Sequence, residues 1–158
     1  MSLAAIREQI KVIAAGTPGI GRVHDFHRWS ADWTSFLQKF LDSSGKINVW
    51  MFGLERSPKR QVSQGEYEKA RIFLFRGIMG LKDAEATGII FDDFVDLFQD
   101  RFDAYETLNG TCLTINPDWG PMEGAIGYQV ELIEHRKFGS VLCHYTEGHL
   151  CAIEQIQI

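Results

Sequence analysis

The segment at positions 67–81 constrains the fold of this chain more than any other. Read as a strand, it would carry apolar side chains on both of its faces. Ile72, Leu74 and Ile78 fall on one face, and Phe73, Phe75 and Met79 fall on the other. Because a strand with two apolar faces has to be covered on both sides, the segment predicts a long strand in the centre of a sheet.

Three segments have helical periodicity. The first is a short amphipathic helix on Leu3, Ile6, Ile10 and Ile13, with Ser2 as its cap and a Gly/Pro stop from Gly16. A second helix is predicted after Ser30, with an apolar stripe of Trp33, Phe36, Leu37, Phe40 and Leu41. A third helix is predicted from Asp83. Its buried stripe would consist of Ile90, Phe94, Leu97, Phe98 and Phe102, with Ile89 beside them, and Asp92, Asp93, Asp96 and Asp100 would face water.

The remaining segments complete an α+β pattern. Further strands are predicted at 22–29, 47–55, 126–135 and 140–152, with a tight connection at 136–139 and an optional short strand at 112–115. The polar segment 56–66 is interpreted as a long exposed loop between two strands. The resulting order, α-β-α-β-β-α-β-β, predicts one domain at 1–158 with a mainly antiparallel mixed sheet and flanking helices.

The composition favours some functional classes over others. The 158 residues are 45% hydrophobic and 12% aromatic, which is typical of a chain with a packed core. The formal net charge of −5 argues against a nucleic-acid-binding protein, which needs a basic face. An odd set of three cysteines favours free thiols in a reducing cytosol, and we expect neither a signal peptide nor a membrane-spanning segment.

The segment 16–23, GTPGIGRV, imitates the spacing of a phosphate-binding loop. That chemistry needs a lysine and then a serine or threonine, but Arg22 and Val23 occupy these positions. A phosphate-binding loop also follows a strand and begins a helix, whereas this segment follows a helix and begins a strand. We therefore interpret it as a helix stop.

Soft metal ligands occur near the C-terminus. Cys143, His149 and Cys151 would share one face of a strand, and His144 would lie on the other. A fourth ligand would have to be Cys112 or a distant histidine, so buried cysteines explain the pattern equally well. The surroundings of Ser140 lack the sequence of a nucleophile elbow. The sequence predicts no catalytic, cofactor or metal residues and favours a structural or binding protein over an enzyme.

Several segments together resemble a known family. They are MSLAAIR, PGIGRVHDFHRW, SADWTSFL, the strand with Trp50 and Phe52, RIFLFRGIMGLKDAEAT and FGSVLCHYTEGHL. This combination resembles the tail terminator proteins of long-tailed bacteriophages, the functional class of the phage lambda terminator. The resemblance covers most of the chain.

The resemblance implies a non-enzymatic structural protein of the virion, assembled in the cytoplasm of a bacterial host. It implies a homohexameric ring that caps the tail tube, stops its polymerisation and provides the docking surface for the head-completion or neck protein. DNA would pass through the channel without specific binding, and neither a cofactor nor a membrane would be involved. The alternatives are another neck or tail-completion protein, or a small cytoplasmic zinc- or ligand-binding domain.

Physical arguments identify contact candidates that the resemblance does not. A ring needs a head-to-tail interface that closes. The charged segment 56–66 contains Arg56, Lys59, Arg60 and Gln61, and we expect it to reach the neighbouring subunit or the tube. Trp119, in the irregular segment 107–124, is the second candidate.

Overall fold

The structure is a computed structural model that describes residues 1–27, 46–81, 87–138 and 141–157. These residues form two helices and six strands. In chain order they are α1 (Leu3–Ala15), β1 (Arg22–His24), β2 (Asn48–Arg56), β3 (Lys59–Ser63), β4 (Glu66–Gly80), α2 (Thr87–Asp103), β5 (Gln129–Phe138) and β6 (Val141–Gln157). The predicted α+β class is confirmed.

The sheet is mixed and mainly antiparallel. Its strand order is β1-β2-β4-β6-β5, and β3 also pairs with β4. Only β1 and β2 are parallel among the described strand pairs. β4 pairs with β6 along its whole length, from Glu66↔Gln157 to Gly80↔Cys143, and with β2 on its other side. The predicted central position of β4 is therefore confirmed.

One face of the sheet, which we call the helix face, carries the main core. Trp50, Phe52, Phe73 and Phe75 point from the strands into a cluster with both helices. The rings of Trp50 and Phe98 stack with their centroids 4.2 Å apart, which fixes α2 on the sheet. α2 also contacts α1, because Arg101 Nε donates a 2.7 Å hydrogen bond to the Ile13 carbonyl at the end of α1.

The opposite face of the sheet has two smaller apolar clusters, one at each end. The first consists of Val49, Met51, Ile78, Cys143 and Tyr145. The second consists of Ala70, Ile72, Cys151 and Ile153, with Trp119 and Met122 packed against it. Both faces of β4 are therefore apolar, as its sequence predicts.

The ends of α1 follow the sequence closely. Ser2 Oγ accepts a 3.1 Å hydrogen bond from the Ala5 backbone N–H and so caps the first turn. The helix ends at Ala15, and Gly16 is its C-terminal cap. A Cβ atom at Gly16 would collide with the Arg101 guanidinium. Glycine at this position therefore leaves room for the side chain that joins the two helices.

Several boundaries differ from the prediction. β1 ends at His24, well before position 29. The predicted helix after Ser30 (Trp33, Phe36, Leu37, Phe40, Leu41) lies outside the described residues, as does Asp83. β5 begins at Gln129 and continues to Phe138, into the predicted connection, and β6 continues to Gln157. The optional strand at 112–115 is a single bridge between Thr114 and Ile153.

Two predictions about exposed segments are wrong. Segment 56–66 is not a loop, because positions 59–63 form β3 and pair with β4. The buried side of α2 also differs: Ile89, Ile90 and Leu97 are 66%, 51% and 42% exposed. Phe91 and Val95 are buried instead, together with the predicted Phe94, Phe98 and Phe102. The four aspartates of α2 do face solvent.

Candidate interaction surface

A hairpin of β3 and the start of β4 forms one edge of the sheet, and β6 pairs with the other side of β4 there. We call residues 57–69 the hairpin arm. β2 breaks its register with β4 between Leu54 and Arg56, and the chain resumes pairing in β3. Ser63 pairs with Glu66, so Gln64 and Gly65 form a two-residue turn. Gly65 has φ +76°, a conformation that favours glycine.

The arm presents a basic, exposed edge. Every residue of β3 is exposed, including Lys59, Arg60 and Gln61. Arg56, at the end of β2, is exposed as well. Lys59 Nζ lies 4.6 Å from the centroid of the Tyr67 ring, and Gln61 Nε2 donates a 3.2 Å hydrogen bond to the Ser63 carbonyl. Since β3 pairs only with β4 among the described strands, its outer edge offers both backbone groups and positive charge.

The two predicted contact candidates meet in space. The Arg60 guanidinium lies 4.7 Å from the centroid of the Trp119 ring. Arg60 also donates to Glu68 Oε1 at 2.8 and 3.0 Å and lies 3.7 Å from the Asp118 carboxylate. Arg60 therefore connects the arm to the loop that carries Trp119. The two segments were predicted as contact candidates independently of each other, and in the structure they lie on one surface.

A buried ion pair anchors the arm at its base. Arg71 Nε lies 2.7 Å from Glu154 Oε2, and their side chains are 11% and 5% exposed. Arg71 Nη1 also donates a 2.8 Å hydrogen bond to Ser57 Oγ, at the start of the arm. One guanidinium thus ties together β4, β6 and the connection between β2 and β3. Sequence analysis missed this pair, although a charged residue inside the apolar runs of both strands was a signal for it.

The proposed zinc ligands do not gather at one point. Cys143 and Cys151 are eight positions apart on β6, which corresponds to about 26 Å along a strand. They belong to different apolar clusters. His149 lies between them, with Nδ1 2.6 Å from Glu131 Oε1 and Nε2 3.1 Å from Glu55 Oε1. The distance alone prevents the three residues from sharing one ion.

The cysteines are also poor nucleophiles. Cys112, Cys143 and Cys151 are free and buried. Burial raises the pKa of Cys143 to about 11 and the pKa of Cys112 and Cys151 to about 12. Because the thiolate is the reactive form, these side chains are inert at neutral pH.

A network of charged side chains crosses the opposite face between its two apolar clusters. Tyr145 donates a 2.5 Å hydrogen bond to Glu147 and accepts a 3.1 Å hydrogen bond from Arg76 Nε. The Arg136 guanidinium stacks 3.9 Å from the Tyr145 ring centroid. Burial and the Glu147 carboxylate raise the pKa of Tyr145 to about 12. These groups are hydrogen-bonded or stacked on one another. The network is therefore better suited to holding the strands together than to acid–base catalysis.

The segment that imitates a phosphate-binding loop has a structural role. It follows α1 and leads into β1, which is the inverted order that the sequence predicts. A Cβ atom at Gly21 would collide with the Asn48 backbone carbonyl. Val23, at the position of a metal-binding hydroxyl, pairs with Trp50 in the sheet. Glycine is therefore needed here for the close approach of two chain segments.

Two further features concern metal binding and membranes. Within residues 1–27, 46–81, 87–138 and 141–157, no group of three or more His, Cys, Asp or Glu side chains is arranged to hold a metal ion. In the same part of the chain, neither helix has the length and apolar character needed to cross a bilayer.

Comparison with known proteins does not assign a family. No protein-family model matches this sequence, and no curated protein matches it.

Proposed function

We propose that this protein is a phage or prophage tail terminator, a ring-forming structural protein that caps the tail tube and stops its polymerisation. The observation that carries the proposal is the hairpin arm. Its outer strand is exposed throughout and carries Lys59 and Arg60, a buried ion pair holds its base, and Arg60 joins it to the loop of Trp119. An exposed strand edge of this kind suits contact with another protein better than catalysis.

A terminator has to contact three kinds of neighbour. These are other copies of itself, the tail tube protein below and the head-completion or neck protein above. A homohexameric ring uses the same head-to-tail interface at every subunit boundary. The edge of the sheet at the arm and the outer side of α2 on the helix face provide surfaces of different chemistry for such contacts. The virion is then the site of action, and the activity is non-enzymatic.

Removal of the arm tests this function. We expect replacement of residues 60–68 by Asn-Gly to leave Lys59 and Lys69 paired at the end of a shorter two-residue hairpin. The excised side chains lie outside the buried core, and the excision removes only the last three partners of β6, so the variant should fold and unfold cooperatively. In electron micrographs of purified tail tubes mixed with protein, the wild type should cap the ends and halt growth, whereas the variant should leave growing ends uncapped.

The control keeps the arm and changes only its turn, as Gln64→Asn. This variant should cap tubes like the wild type, since Gln64 is an exposed turn residue. Capping by the shortened variant would show that the arm is dispensable. If the wild-type protein binds head particles but never tube ends, it is another neck or tail-completion protein, and the terminator function is wrong.

A further inference from the structure

The exposed side of α2 combines acidic and apolar residues. Ile89 and Leu97 lie there at 66% and 42% exposure, and Ile90 borders them at 51%. Asp93, Asp96 and Asp100 occupy the same side of the helix, and all three are exposed. We call these six residues the acidic–apolar face. Apolar side chains exposed together and bordered by charge are typical of a surface that binds another protein.

The hairpin arm and its base have the complementary chemistry. Arg56 and Lys59 carry exposed positive charge, whereas Arg60 is paired with Glu68 and lies near Asp118. Leu54 and Val62 are 36% and 49% exposed beside them. A basic–apolar surface and an acidic–apolar surface of this kind attract each other electrostatically and can bury their apolar groups together.

The two surfaces cannot meet within one molecule. α2 begins at Thr87, which lies 2.9 Å from His144, and His144 pairs with Met79 near the end of β4. The turn of the arm precedes Glu66, at the other end of the same strand. α2 then crosses the sheet towards Phe75, with its buried side on the strands and its acidic–apolar face pointing away from them. Since hydrogen bonds hold the arm in the sheet, it cannot fold over the outer side of α2.

We propose that the hairpin arm of one copy docks on the acidic–apolar face of α2 in the next copy. The contact is head-to-tail, so it generates either a closed ring or an open filament. This inference rests on the proposed function and deepens it by naming the surfaces between subunits. The second copy is the chosen partner because both complementary surfaces belong to this chain and face in different directions.

Two charge-reversal variants test the contact. The arm variant is Arg56→Glu/Lys59→Glu, and the helix variant is Asp93→Lys/Asp96→Lys. Each places like charges against each other, so self-association should weaken at least tenfold, whether measured alone by sedimentation or on tail tubes by subunit count. Single reversals at exposed sites elsewhere, Glu8→Lys on α1 and Lys137→Glu on β5, are the controls and should associate like the wild type.

An equimolar mixture of the two variants gives the decisive result. The reversed arm of one protein then faces the reversed α2 of the other, and each unchanged arm faces an unchanged α2. Assemblies should therefore form again, with the two proteins alternating. Without this mutual rescue, or if the wild type stays monomeric both alone and on tubes, the pairing is wrong.

The same experiment separates this inference from the proposed function. Normal ring formation by the helix variant, with tube capping lost, would mean that α2 binds the tube and would overturn the pairing. Normal capping and association by both variants would overturn the pairing and leave the terminator function standing. Mutual rescue without tube capping by the wild type would support the pairing and refute the terminator function.

Discussion

The ion pair between Arg71 and Glu154 is the residue-level feature with the largest expected effect on stability. Both side chains are almost fully buried. Arg71→Met would leave the Glu154 carboxylate buried without a cation, at a cost of about 3–5 kcal/mol in the free energy of unfolding. Urea denaturation followed by circular dichroism measures this change. The arm should also lose order, because Arg71 holds Ser57.

Two matched variants isolate the cause. The double variant Arg71→Met/Glu154→Leu removes both charges and should regain most of the lost stability. Arg60→Met breaks the more exposed pair with Glu68 and should cost less than about 1 kcal/mol. If Arg71→Met and Arg60→Met lowered the free energy of unfolding equally, the pair between Arg71 and Glu154 would not be shielded from water as described.

The three buried thiols give the protein a pH-dependent stability. Burial raises the pKa of each thiol from its ordinary value of 9.0 to about 11 or 12. In the unfolded chain the thiols ionise first, so their contribution to stability is complete below pH 9 and is lost as the pH rises towards 11 or 12. The free energy of unfolding should therefore fall between pH 9 and pH 10.5 in urea titrations.

Replacing all three cysteines by alanine should make this decline shallower. Tyr128 and Tyr145, whose pKa values burial also raises, account for the remaining loss at the upper end of the range. An unchanged slope in the alanine variant would contradict the role of the thiols. In the wild type, Ellman's reagent at pH 8 should label the thiols only after urea is added.

At the scale of single elements, sequence patterns identified β4 and α2 but not the orientation of α2. The helix has more apolar residues than one side can bury. Periodicity alone favoured Ile90 and Leu97, whereas the stacking of Phe98 on Trp50 turns Phe91 and Val95 inward. These contacts involve residues distant in sequence, so the local pattern does not contain them. The exposed apolar side of α2 was accordingly not predictable.

The hairpin arm shows that local sequence patterns can also fail to predict a strand. Segment 56–66 is polar and contains Pro58, so it lacks the alternation that predicts a strand. It pairs because β4 and β6 are long enough to provide a template beyond the core. The sequence did predict its exposure and its charged character. The contact of Arg60 with Trp119 could not be predicted, because it depends on the arrangement of the whole sheet.

At the scale of the molecule, charge is distributed unevenly along the sheet. The chain has 16 basic and 21 acidic residues. Several arginines are paired with carboxylates, including Arg71, Arg136 and Arg60. The exposed aspartates lie on the outer side of α2, and the exposed Arg56 and Lys59 lie at the edge of the sheet. If arms dock on α2 around a ring, the basic side chains of the arms are paired at the subunit interfaces. They then do not line the channel, which favours a channel that does not hold DNA.

This distribution predicts weak affinity for duplex DNA. In electrophoretic mobility assays at about 0.15 M salt, the wild type should not retard DNA, and its dissociation constant should exceed about 100 µM, the weak limit of non-specific binding. Asp93→Lys/Asp96→Lys adds cations to an exposed face and should bind DNA more tightly, with an affinity that falls steeply as salt rises. The arm variant Arg56→Glu/Lys59→Glu should bind no better than the wild type. Retardation by the wild type at about 1 µM would mean that an unpaired basic surface remains, and a channel that DNA traverses without binding would then be excluded.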